Sequence, residues 1–185
     1  FKRAETWKGD GTKNSERGKD GPLSVSPTRL KREIVDKWLD AAVGAGYKRN
    51  PDYNSSDQEG GGYFQLTLDK GRRCSSAVAY LKPARNRKNL TIITHAQVER
   101  LRVEQDEAKP ICDLPGVGKN LQDHLQARPV FKTNLSTINI ETNNIFKQGL
   151  IALQYAISQT GPMTMAASLG TGFLKTDPML ATPDI

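Results

Sequence analysis

Histidine and cysteine, the side chains best suited to acid–base, nucleophilic or zinc chemistry near neutral pH, are few: His95 and His124, Cys74 and Cys112. The cysteines stand alone, without C-x-x-C spacing. A zinc site would have to collect ligands from distant positions, so no metal site is expected. The richest stretch is Leu114–Gln126, "LPGVGKNLQDHLQ". Asp123 and His124 are adjacent there, and neighbours on a helix point about 100° apart, so they form no acid–base dyad by themselves. Phosphate-loop spacing fails, because Gly118-Lys119 is followed by Asn120 and no glycine lies five residues upstream. There is no G-x-S-x-G elbow. The residues themselves favour a Pro-Gly turn and a short helix "LQDHLQ" capped by Asn120. The triple glycine Gly60–Gly62 also fails as a phosphate loop, since no Lys-Ser/Thr pair and no helix start follow it.

The elements around these residues are legible in part. Residues 1–26 read as a glycine-punctuated loop ending in a short strand at Leu23–Ser26. A helix is expected over Pro27–Ala45, with Ser26 as cap and Pro27 in its first turn. Its stripe is Leu30, Ile34, Trp38 and Ala41, widened by Val35, Leu39 and Ala42, and Gly44 and Gly46 end it. On this reading Trp38 is buried, Lys37 is exposed, and truncating Trp38 costs roughly 3–5 kcal/mol. "NPDYNSSDQEGGG" is a loop, "YFQLTLD" a strand, and Asp69-Lys70-Gly71 a turn. "SSAVAYLKP" reads as a short helix capped by Ser75 or Ser76 and ending before Pro83. "NLTIITHAQVERLRV" reads as two strands joined through Thr94–Ala96. A second long helix begins at Asn143 or Asn144, places Phe146, Leu150, Leu153 and Ile157 on one face, and stops at Gly161-Pro162. A short strand follows within Ser168–Leu174.

The chain has 185 residues and a formal net charge of +7, with acids interspersed among most of the bases. The densest basic run is Lys82, Arg85, Arg87 and Lys88. It lacks the interleaved aromatics that stack single-stranded bases, so a solvated face is favoured and no nucleic-acid partner is expected. No apolar run of about 18 residues is present, so no membrane span is expected, although peripheral membrane association is compatible with the charge. The start has no apolar leader core and does not begin with Met, which suggests a fragment or a processed chain. The lone cysteines favour a reduced, intracellular and cytoplasmic setting.

Several stretches, in order, carry a resemblance. "GKDGPLSV", then "AGYKRNPDYNSSDQEGGGYFQLTLDKGRRCSSAVAYLKPARNRKNLTIITHAQVERL", then "LPGVGKNLQDHL", then "QTGPMTMAASLGTGFLKTD" and "TPDI" resemble the glucose–methanol–choline (GMC) family of FAD-dependent oxidoreductases, particularly its choline dehydrogenase-like members. The resemblance implies an α+β fold: part of a GMC-type fold, with a substrate-domain sheet carrying packed helices plus pieces of the FAD-binding domain. It implies FAD as cofactor, a small-molecule alcohol as substrate, and oxidation at a CH–OH group. At the segment Thr94-His95-Ala96-Gln97-Val98, it implies that the backbone of Val98 contacts the adenine part of FAD. The residues alone make Val98 an apolar strand residue, and the two readings are compatible.

Residues 1–185 are therefore expected to be an incomplete GMC region. The family's N-terminal G-x-G-x-x-G unit is not in this sequence, nor is its C-terminal catalytic segment. A flavin-side segment is missing after about residue 109, where Glu104–Lys109 runs almost directly into Ile111–Leu114. No catalytic residue is assigned, because His124 does not occupy the position of the family's catalytic histidine. On this basis the chain alone is expected to be catalytically incomplete and not to retain FAD. The competing readings are a non-catalytic remnant and a small basic module that binds nucleic acid or acidic lipid.

Overall fold

The structure, a computed structural model, describes residues 2–9, 16–97, 115–116 and 118–185. It divides into two units, Phe1–Asn86 with Thr133–Ile185, and Arg87–Lys132. The first holds every strand and helix among the described residues.

Three small sheets make its frame. β1 (Glu5–Trp7) runs parallel to β2 (Leu23–Pro27), with Glu5 opposite Leu23 and Trp7 opposite Val25. β2 pairs antiparallel with β4 (Gln65–Leu66). β3 (Gly60–Tyr63) pairs antiparallel with β7 (Gly170–Phe173). β5 (Leu68–Asp69) and β6 (Arg72–Arg73) form a hairpin. Its two-residue loop has positive φ at both Lys70 (47°) and Gly71 (78°), the backbone that matches strand twist in a tight hairpin, so the Asp69–Gly71 turn is where the composition put it. The strands at Leu23–Ser26 and within Ser168–Leu174 also form. β1 does not appear in the pattern, because three residues flanked by charges carry no usable alternation.

α1 spans Glu33–Gly44, six residues later than expected. Ser26 and Pro27 are taken by β2, where they face Leu66 and Gln65, and Arg32 occupies the cap position without a side-chain cap bond. Proline is tolerated there because it sits at a strand end, where its missing N–H breaks no ladder. The buried seam is also rotated by one residue. Leu39 is the residue with least exposure, at 2%, flanked by half-buried Val35 and Ala42, whereas Trp38 is 44% exposed. Lys37 is exposed as expected, and the helix ends at Gly44 with Gly46 at φ 96°.

The reason lies in what α1 packs on. It lies over the glycine ribbon of β3 and β7. A Cβ placed on Gly61, Gly170 or Gly172 would sit 3.3–3.7 Å from the Trp38 ring. The indole therefore lies on a surface without side chains and leaves its other side to solvent. Trp38→Ala should cost about 1–2 kcal/mol, the share of a partly buried aromatic, rather than the 3–5 kcal/mol of a core one. Chemical denaturation of the variant measures this directly.

The triple glycine forms a strand rather than the loop first expected. A Cβ on Gly60 or Gly62 would be driven into the carbonyls of Lys48 and Asn50, and one on Gly61 would meet Leu39 at 3.0 Å. Asn50 N–H donates to the Gly61 carbonyl at 2.8 Å, and Gly61 N–H to the Lys48 carbonyl at 2.9 Å. Glycine is needed because the 48–50 backbone crosses one face of β3 closely, and the Leu39 and Trp38 side chains press on the other. Gly62→Ala should destabilise the unit by roughly 1–3 kcal/mol through overpacking, which a shift in thermal midpoint would register.

The segment after β6 is helical through Pro83 rather than ending before it. A π-helical turn, Ala77–Leu81, runs into α2, Lys82–Ala84. Lys82 N–H bonds five residues back to the Ala77 carbonyl, and this wider turn lets the proline ring sit in a helix. Ser75 Oγ accepts from Val78 N–H at 3.4 Å, as a cap there should. α3 is Ile138–Thr142 and α4 is Ile145–Ser158. Asn144 caps α4 by accepting from the N–H groups of Phe146 and Lys147, and Gln159 closes it in the left-handed region at φ 54°. The face Phe146, Leu150, Leu153 and Ile157 forms as read but is 55–81% exposed.

In the second unit, two expectations are corrected. Leu90–Ile93 is not a strand, and Ile92 and Ile93 are 47% and 75% exposed. β-branched residues form a ladder only against a partner, and none of the described strands pairs with them. "LQDHLQ" is not a helix, and Leu121 and Leu125 are 97% and 102% exposed. Six residues make fewer than two turns, too few to hold a helix without a packed face. The second expected strand, at Leu101–Val103, lies outside the described residues.

Candidate functional site

Val98, the one position assigned to a cofactor contact, lies outside the described residues. Cys112 does too, while Cys74 is buried with its sulfur 3.4 Å from Ser24 N–H. His124 is exposed in the "GKNLQDH" stretch. Asp123 Oδ1 accepts from the backbone N–H of His124 at 2.8 Å. This local cap uses the peptide of His124, so the pair is not built as a dyad. Asn120 stands at φ 58°, in the turn rather than at a helix start. Lys82, Arg85, Arg87 and Lys88 are each exposed. Among the described residues no group of three His, Cys, Asp or Glu side chains could hold a metal ion, and no helix is long and apolar enough to cross a membrane.

The family cofactor can be tested against the glycines. A dinucleotide pyrophosphate needs converging backbone N–H groups at a helix N-terminus, with glycines leaving room for it. At Gly60–Gly62 that room is filled by Lys48, Asn50 and Leu39. Gly116 and Gly118 have nothing within 4 Å of their Cβ positions, but they sit in an exposed turn that leads into no helix. The described residues therefore do not fit the pyrophosphate of FAD.

The most highly organised polar group among the described residues is centred on Arg17. Its guanidinium donates to Glu5 Oε2 at 2.7 Å, to Asp52 Oδ1 at 2.8 Å and Asp52 Oδ2 at 3.3 Å, and to Gln65 Oε1. It also stacks 4.2 Å above the Trp7 ring. The side chains of Arg17 and Glu5 are 4% and 5% exposed. Gly18 N–H donates to the other Glu5 oxygen at 3.2 Å. Gln65 continues the network to Asp52 at 3.0 Å, and its backbone N–H donates to Tyr53 Oη at 2.9 Å. Burial holds the Tyr53 phenol above its usual range, opposed by the Gln65 hydrogen bond and Arg17. Chemically this group is closed. The cation is enclosed by acceptors, so it ties β1, the 50–54 loop and β4 together rather than presenting an acid or base.

The charge pattern concealed it. Glu5 and Arg17 stand in a stretch of alternating charges that reads as solvated, yet both are buried. The available signal was Trp7, an aromatic two residues from Glu5 and able to cover a guanidinium.

A second feature is a cavity of about 460 Å³ between the end of β2, the start of α1 and β3–β4. Trp7, Tyr63 and Phe64 are among its walls, with Lys31, Asp36 and Arg49. Tyr63 Oη lies 3.0 Å from Asp36 Oδ1 and accepts from Arg32 N–H at 3.2 Å, which fixes its ring at the base of α1.

Comparison with known proteins adds the following. The family model described as GMC oxidoreductase matches residues 1–112. Oxygen-dependent choline dehydrogenases of Staphylococcus aureus strains JH9, Newman and N315 are each 27% identical to the chain over 233 residues. Those alignments take in 100% of this chain and 41% of the relative, so the chain spans less than half the length of these proteins. Among solved structures, pyridoxine 4-oxidase from Mesorbium loti is 30% identical at a TM-score of 0.48, over 56% of this chain and 20% of that one.

Proposed function

The chain belongs to the GMC oxidoreductase family, whose members depend on FAD, and from that premise we propose that it is part of an enzyme that oxidises a CH–OH group of a small-molecule alcohol. The observation that carries this is the family match over residues 1–112, together with relatives aligned along the whole chain. A choline dehydrogenase-like substrate is the finer reading, supported by the staphylococcal relatives. Within it, the backbone of Val98 contacts the adenine part of FAD.

In this reading residues 1–185 are an incomplete GMC region. Two facts support an internal gap after about residue 109. The family match stops at residue 112, and the 185 residues align over 233 of the relative, so the relative carries residues this chain lacks. When bound, FAD supplies the hydride acceptor. What this chain's described residues do is build a frame, with the Arg17 group clamping the N-terminal strand to β4. No side chain among them is placed as the base for the alcohol proton.

The test is direct. Reading the coding sequence on both sides should reveal G-x-G-x-x-G in frame upstream, and the extended polypeptide should bleach its flavin with an alcohol. The 185-residue chain, by itself, should turn over none. If the flanks hold no such motif, the second reading applies: a non-catalytic remnant. That reading is favoured by the filled space around Gly60–Gly62.

A further inference from the structure

We propose that α4 is a self-association surface: two copies of this chain pair antiparallel through Phe146, Leu150, Leu153 and Ile157. The pairing follows from the helix itself and does not rest on the flavin chemistry.

α4 meets its own unit with one side only. Ile151 and Tyr155 are its half-buried residues, and Tyr155 Oη donates to the Gly71 carbonyl at 3.3 Å. At about 100° per residue, the four apolar side chains fall within roughly 60° of arc, centred about 150° away from Ile151 and Tyr155. They point away from the unit and are 81%, 67%, 55% and 77% exposed in chain order. A helix face turned to water ordinarily carries charged and polar side chains. This one has apolar residues spaced four, three and four apart, the repeat of a knobs-into-holes seam. The helix is also already formed. Asn144 caps its start and Gln159 closes its end, so pairing requires little further ordering.

Symmetry and charge select a second copy as the occupant. The seam is symmetric about the middle of α4: in an antiparallel pair Phe146 lies opposite Ile157 of the second copy, and Leu150 opposite its Leu153. Each contact is then made twice, as a two-fold interface requires. Lys147 is the one charged residue of α4. A parallel pair would set two ammoniums side by side. The antiparallel pair puts them at opposite ends, each across the seam from Gln154, and opposes the helix dipoles. On the other flank lie Gly149 and Ala156, small enough to let the helices approach. With its single charge, the face offers a charged partner little to read. The four side chains expose on the order of 500 Å² per copy, so a pair removes about 1,000 Å², the lower end of specific interfaces. The dimer is therefore reversible.

The experiment is sedimentation velocity of the full chain from about 1 to about 300 µM, a range that brackets a weak dimer. The expected result is a concentration-dependent passage from monomer to dimer and no larger species. Leu150 is exposed in the monomer, so Leu150→Glu should keep the circular dichroism of the parent and remain monomeric throughout. Ile157→Gln, at the far end of the seam, should raise the dissociation constant at least about fivefold. Gln154→Glu places two carboxylates opposite the two Lys147 ammoniums and should tighten the dimer about threefold at low salt. The new carboxylate can still accept from Thr160, which Gln154 reaches at 3.4 Å. Gln154→Lys should loosen the dimer by a similar factor. A chain that stays monomeric at the highest concentration overturns the proposal. So does a folded Leu150→Glu variant that dimerises like the parent, or assembly beyond the dimer. Gln154→Glu and Gln154→Lys shifting the equilibrium in the same direction, or leaving it unmoved, would refute the antiparallel arrangement. Flotation with phosphatidylglycerol vesicles by a chain that is monomeric in solution would give the face to lipid instead.

Discussion

Purified through a high-salt wash, the chain should show no flavin absorbance approaching one equivalent. The FAD pyrophosphate is anionic and is held tightly only where several backbone N–H groups converge on it. The dinucleotide fingerprint that would supply them is absent from the sequence. The three glycines that might have substituted are packed against Lys48, Asn50 and Leu39 inside a strand pair. A backbone contact at Val98 is worth about 1 kcal/mol net. Micromolar retention needs about 8 kcal/mol. The net charge of +7 gives salt-sensitive attraction, which a high ionic strength screens within a few ångströms. The measurement is a visible spectrum of the washed protein against its peptide absorbance. A flavin band near one per chain would mean that another part of this chain, such as the stretch around Val98, builds a cradle.

This expectation shows where the sequence was informative and where it was not. Local signals were readable when they were self-contained. Asn144 caps α4 with its own side chain, Lys70-Gly71 turns a hairpin, and Gly46 closes α1, each through backbone geometry that needs no distant partner. Three of the misreadings depend on a partner remote in sequence. Ser26-Pro27 looks like a helix start until β4, nearly forty residues on, claims it as strand. Trp38 looks like the centre of a helix face until the glycines of β3 and β7 offer it a flat surface. Leu90–Ile93 has strand composition but no described strand pairs with it. The family was legible because ordered motifs survive along the whole chain. The buried Arg17 group was not, because a charge run looks the same in sequence whether water or a tryptophan covers it.

Arg17→Ala should therefore be among the most damaging single substitutions in the chain, costing roughly 3–5 kcal/mol. The cation sits between two carboxylates, and its removal leaves Glu5, with 5% of its side chain exposed, in a desolvated site without a counter-charge. Asp52 and Gln65 lose the guanidinium at the same time and keep neutral amide donors, from Gln65 Nε2 and Asn54 Nδ2, so the strand clamp between β1, the 50–54 loop and β4 loosens. Trp7 loses the guanidinium stacked on it. A lysine cannot replace this, because one ammonium cannot reproduce the fork that reaches Glu5, Asp52 and Gln65 together. Domains of this size hold only about 5–15 kcal/mol in total, so the loss should be visible as a large fall in the urea midpoint at neutral pH. The companion variant separates charge from packing. Glu5→Gln with Arg17→Met removes both charges and keeps the volume, and it should recover most of the stability lost by Arg17→Ala. If Arg17→Ala shifts the midpoint by less than about 1 kcal/mol, the value of an exposed pair, then the N-terminal strand is held by its backbone ladder alone and the clamp contributes nothing.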